Sequence, residues 1–188
     1  MILFVIGAIA LAASFFGLMG AHDHGEQFYF SYLTSYMFTL SLALGALFFV
    51  IVQHVARAGW SVVVRRIAVN MTVAMPVLAL LVIPIILGSH TLYHHWMGAE
   101  LDPTKTAYDP IVAGKSSYLN TTFFYVRMAL YFVTWMGLAR WFRGKSVEQD
   151  GNGNPDLSMR MARFGAPGLI LFGLTITFAA FDWMMSLN

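Results

Sequence analysis

Residues 28–66 read FYFSYLTSYMFTLSLALGALFFVIVQHVARAGWSVVVRR, an apolar run free of Asp, Glu, Lys and Arg until Arg57. As a helix rising about 1.5 Å per residue, 28–56 reaches roughly 43 Å, more than a hydrocarbon core of about 30 Å. A soluble core has no room for such an element. The stretch therefore reads as a membrane span that tilts or protrudes, and the arginines of its closing turn mark one membrane side.

Composition agrees. Hydrophobic residues make up 59% of the 188 and charged residues 11%, and mean hydropathy is +0.68. This is the mix of an all-α polytopic bundle in contact with lipid. A net charge of +2 gives no argument for a nucleic-acid partner. The chain has no cysteine, which excludes disulfides, thiolate zinc sites and cysteine-ligated clusters within it.

About five spans are expected, at 1–20, 28–56, 71–88, 118–141 and 165–187, forming one transmembrane domain. The first has no basic leader and no convincing cleavage site, so it is expected to be retained. Its Gly7, Ala8, Ala12 and Ala13, and Ser41 with Gly45 in the second span, suit close helix contact. The third contains Pro76 and Pro84. Each frees a carbonyl one turn earlier, which a packed kink or a hinge accommodates. The connections are a polar turn with His22, Asp23, His24 and Glu26, a basic turn at 57–70, a polar stretch at 89–117 with Glu100, Asp102, Lys105, Asp109 and Lys115, and a basic linker containing EQDGNGNPD. An odd span count and a stop directly after a span suggest half of a larger bundle, or a component completed by partners.

Arg57, Arg65, Arg66, Arg140, Arg143, Lys145, Arg160 and Arg163 gather after the second and fourth spans. Counted as positive-inside charges, they place that end and the N-terminus in the cytoplasm.

Ionisable groups within spans are costly and carry the functional expectation. Arg127 falls roughly 20 Å above the inner boundary and Asp182 roughly 26 Å above it. His90 and His94 arrive at similar height, one turn apart. These residues are the proton-transfer or quinol-site candidates. Arg127 shares a helical face with Tyr131 and Thr134, which favours a lined cavity; snorkelling to water is the alternative. Asp182 is read as an ion-pair partner, a proton carrier or an interfacial cap. The His90 and His94 pair has the spacing of helical metal ligands without an accompanying carboxylate, so no metal site is expected. Gln53 and His54 read as boundary residues or an inner proton entry.

Other matches fail. The stretch from Asp150 begins like a calcium loop but has Pro155 at position six and Met161 at position twelve. Two glycosylation patterns, at Asn70 and Asn120, fall at a boundary or on the cytoplasmic side. No haem-binding Cys-x-x-Cys-His is present.

The segments FSYLTSYMFTLSLALGALFFVIVQHVARAGWSVVVRR, SHTLYHHW and FAAFDWMMSL resemble the second of the two large membrane subunits of alternative complex III, a bacterial quinol:electron-acceptor oxidoreductase. Both of those large subunits are related to the membrane subunit of polysulfide reductase. The resemblance covers nearly the whole chain, although family members are about twice as long. It implies the bacterial cytoplasmic membrane, contact with quinone or quinol, and partners comprising a homologous quinone-binding subunit, a multihaem cytochrome c and an iron–sulfur subunit. Haems and clusters would sit in those partners alone. The histidine-rich and FDW segments carry His90, His94 and Asp182 over from the family; Arg127 is added from its depth. Two readings follow: a subunit contributing to a quinol site or to outer-side proton transfer, and a scaffold or proton-conducting subunit without a quinol site. A secondary transporter would want a second copy of the proline-broken span, and none is visible.

Overall fold

A computed structural model describes residues 5–7, 9–10, 12–14, 26–97 and 110–187, with the backbone alone at Val62 and Asn152. The expected first span falls mostly outside these residues. So do His22, Asp23, His24, Glu100, Asp102, Lys105 and Asp109. Among the described residues four helices are long and apolar enough to cross a membrane: Glu26–Val55, Val63–Leu87, Thr121–Gly151 and Pro155–Leu187. Among the described residues there is no strand. Large side chains on all four point outward, among them Phe38, Leu80, Leu87, Val133 and Ile170. An exterior of this kind fits contact with lipid or with another apolar surface.

Helix α1, Glu26–Val55, has an acidic first turn and ends where Arg57 adopts φ 50°. The Ala58 amide then donates to the Gln53 carbonyl (3.1 Å) and Arg57 to His54 (3.2 Å). This is the Schellman arrangement, with arginine where glycine is usual.

The basic turn expected at 57–70 is largely helical. After a 3-10 turn at Gly59–Ser61, α2 runs Val62–Met71. No breaker intervenes, and burial of Ala68 and Val69 with Thr72 just beyond gives the segment a face to pack. The line continues as α3 (Met75–Leu81), α4 (Ile83–Leu87), α5 (Ser89–Leu92) and α6 (His94–Met97). Pro76 and Pro84 each sit in the first turn of their short helix, the position where a missing amide costs least. The breaks expose carbonyls, and α1 supplies donors: Tyr36 Oη to the Leu78 carbonyl (2.9 Å) and Tyr32 Oη to Leu81 (2.7 Å). The two phenols stack one turn apart, with centroids 6.4 Å apart. The packed-kink reading thus has a specific mechanism.

A short helix α7, Pro110–Gly114, precedes α8, Thr121–Asn152. Asn120 caps α8 by accepting from the Phe123 amide (2.8 Å). Gly153, at φ 62°, ends it. Helix α9, Pro155–Trp183, starts at once, with Asn154 accepting from Asp156 (2.9 Å) and proline in its first turn. The linker expected over EQDGNGNPD is therefore mostly helix, because N-cap asparagine, first-turn proline and left-handed glycine compress the reversal into two residues. Spans four and five accordingly run longer than 118–141 and 165–187. Helices α8 and α9 pair along their length and pack on α1, burying Trp135, Phe124, Phe142, Leu47 and Ile51.

One contact tests the placement of the proline-broken line. A Cβ on Gly88 would lie 2.1 Å from the Tyr29 ring. Gly88→Ala is expected to lower stability by about 1–3 kcal/mol through overpacking. Gly137→Ala, where an added Cβ meets nothing within 4 Å, serves as the control. Equal melting temperatures for the two variants would refute this packing.

Candidate functional site

Asp182 and Arg127 meet. Arg127 Nε donates to Asp182 Oδ2 (2.8 Å) and Nη2 to Oδ1 (2.9 Å), a two-point salt bridge from the second turn of α8 to the last turn of α9. Tyr131 Oη, one turn beyond Arg127, donates to Oδ2 (2.7 Å), and Tyr118 Oη donates to Oδ1 (3.0 Å). Both carboxylate oxygens thus accept twice, which uses their ordinary capacity. The guanidinium also donates from Nη1 to the Tyr118 carbonyl (2.9 Å). It lies 3.9 Å from the Tyr118 ring centroid and 4.4 Å from that of Phe123, close enough for cation–π attraction. Asp182 is 1% exposed and Arg127 7%, so snorkelling and an interfacial cap are both replaced by a buried pair.

Each charge sits at the unfavourable end of its own helix. A cation near an N-terminus and an anion near a C-terminus oppose the macrodipole. Antiparallel pairing of α8 and α9 brings the two unfavourable ends together, and each charge offsets the other.

The surroundings close the site with further donors. Tyr93 Oη donates to the Trp183 carbonyl (3.2 Å), Trp96 Nε1 to Ser186 (3.0 Å), and Ser186 Oγ to the Asp182 carbonyl. These bonds satisfy backbone acceptors left over at the end of α9. Burial, then the Asp182 carboxylate and the bond to it, push the Tyr118 phenol above its ordinary value, so it remains a donor.

His90 and His94 stand outside this network. The buried face of α5 and α6 carries Ser89, Leu92, Tyr93 and Trp96, whereas His90 and His94 are exposed. His94 Nδ1 lies 3.4 Å from the Thr91 carbonyl, and its ring lies tilted against His95 with centroids 4.0 Å apart. Among the described residues no group of three or more His, Cys, Asp or Glu assembles. Tyr131 was legible from its spacing to Arg127. Tyr118, Tyr93 and Trp96 carried no signal, since they reach Asp182 or the end of its helix from other segments.

Two more polar features lie elsewhere. Gln53 and His54, at the inner end of α1, are buried among the helices, and Gln53 Oε1 and His54 Nε2 have no hydrogen-bond partner among the described residues; His54 stacks on Phe142 at 5.5 Å. A groove of about 1000 Å³ runs between α1 and α9, walled by Leu40, Leu44, Phe48, Phe172, Ile176 and Trp183. No protein-family model matches this chain, and no curated protein does.

Proposed function

We propose that this chain is a membrane subunit of a bacterial respiratory quinol:electron-acceptor oxidoreductase of the alternative complex III kind, in which it serves as a helical scaffold without a quinol-oxidising centre of its own. The resemblance of three segments supports the assembly. The observation that carries the scaffold role is the fourfold-bonded Asp182 carboxylate. A carboxylate held by two-point arginine contact and two phenols has no lone pair left for a travelling proton or a quinol hydroxyl. It fixes the height and rotation of α9 against α8, a registry role that buried pairs can fill. In this reading electrons pass through haems and clusters of the cytochrome and iron–sulfur partners, and the homologous membrane subunit handles quinol.

The groove between α1 and α9 favours a second reading, in which the long apolar tail of a quinol lies along it. Asp182→Asn in the assembled complex separates the two. The scaffold role predicts less assembled complex, or a lower melting temperature, with the quinol KM and the turnover of the surviving complex unchanged. Normal assembly with turnover abolished would refute it and favour a site in this chain.

A further inference from the structure

We infer that the arginine-rich end of the bundle is a binding surface for anionic phospholipid headgroups. The contacts between helices set the heights. Trp141 and Phe142 meet Phe164, with centroids 4.0 and 6.1 Å apart. Arg143 and Arg163, each adjoining one of these rings in sequence, therefore lie level on neighbouring helices. Because α8 and α9 run antiparallel, Arg140 lies about one turn to the bundle side of that level and Arg160 about one turn to the hairpin side. His54 stacks on Phe142, and a Cβ on Gly165 would lie 2.7 Å from Val55. Arg57, just past the end of α1, consequently arrives at the same level. Arg65 comes in from α2, close enough to act electrostatically on His54. Helices α1, α2, α8 and α9 thus send arginines to one depth.

Those cations are not balanced by protein carboxylates. None of Arg57, Arg65, Arg140, Arg143, Arg160 and Arg163 has a carboxylate partner among the described residues. Three acids lie farther along the α8–α9 hairpin: Asp150 pairs with Arg66, Glu148 pairs with Lys145 (2.7 Å), and Asp156 stands in the first turn of α9, one turn before Arg160. Four of the six, Arg140, Arg143, Arg160 and Arg163, are exposed on the hairpin.

The same level carries the aromatic and apolar marks of a headgroup layer. Trp60 is 75% exposed, Phe164 is exposed, and Trp141 is half-buried. Beyond Trp60 the outward face of α2 turns apolar at Val63, Val64 and Ile67. Acyl chains therefore lie to one side of the arginines and water to the other. A guanidinium offers a planar fork matched to phosphate oxygens and is more weakly hydrated than an ammonium. Unbalanced positive charge, phosphate-matching donors and flanking interfacial aromatics together select an anionic phospholipid over a zwitterionic one.

Native mass spectrometry of the protein released from micelles containing equal phosphatidylglycerol and phosphatidylcholine tests this. Wild type should retain phosphatidylglycerol several-fold over phosphatidylcholine, and the excess should fall steeply when ionic strength is raised before release. Arg143→Gln with Arg163→Gln should cut the excess by roughly fivefold or more. Arg143→Lys with Arg163→Lys should keep most of it, and Lys115→Gln at the opposite end should leave it unchanged. Equal retention of both lipids by wild type, or an undiminished excess in the glutamine pair, overturns the inference. If the glutamine pair fails to fold, the wild-type lipid ratio and its salt dependence decide alone.

Discussion

Arg127→Leu is expected to destabilise the bundle by about 3–5 kcal/mol, because it leaves the Asp182 carboxylate buried without its cation. Asp182→Leu should cost a similar amount, since the guanidinium would then sit at the N-terminal end of α8 with only a carbonyl and two ring faces. The double variant should recover much of the loss. Once both charges are gone, neither helix end carries an unfavourable charge and no buried ion remains. Both phenols would lose an acceptor, but Tyr118 is 37% exposed and can turn to another partner, so the residual cost is about 1–3 kcal/mol for the buried Tyr131 phenol. Reversible unfolding in mixed micelles, run as a double-mutant cycle, measures the coupling directly. Additive single effects would mean that the two residues do not act as a pair.

Trp135→Ala is expected to cost about 3–5 kcal/mol, while Phe38→Ala should be nearly silent. Both changes delete a large ring from a membrane helix. Trp135 is 0% exposed, packs against Tyr131, Phe132 and Trp183, and donates from Nε1 to Thr175 Oγ1 (3.0 Å). Its loss leaves a void that neighbouring rings cannot fill and removes a bond between α8 and α9. Phe38 is 67% exposed, and lipid solvates that face whether or not the helices are assembled. Unfolding free energies for the pair should differ by several kcal/mol. A large loss at Phe38 would show that another protein surface covers that face.

The proline-broken helix shows how far a linear reading reaches. Pro76 and Pro84 announce two breaks and two freed carbonyl regions. That the donors are Tyr32 and Tyr36, on a different helix, follows only once α1 is rotated to present them. The hairpin between α8 and α9 shows the converse. Its asparagine cap, first-turn proline and left-handed glycine were all present in EQDGNGNPD, yet a turn-rich composition reads equally as a linker. Packing of Leu157 and Met161 into the core selects the longer helices. His90 and His94 share the approximate height of Asp182 and still miss the site, because the buried stripe of α5 and α6 runs through Ser89, Leu92, Tyr93 and Trp96 instead.

Hydropathy and residue count determined that this chain builds membrane helices, about where they run, and that Arg127 and Asp182 stand at comparable depth. These are properties of position along an axis, and a fixed rise per residue converts them into height. The tertiary structure decided which side chains at that height touch: Asp182 with Arg127, Tyr118 and Tyr131, and His90 and His94 with none of them. Contact depends on the rotation of each helix about its own axis. That rotation is set jointly by the rings, small residues and hydrogen bonds of several helices packing at once.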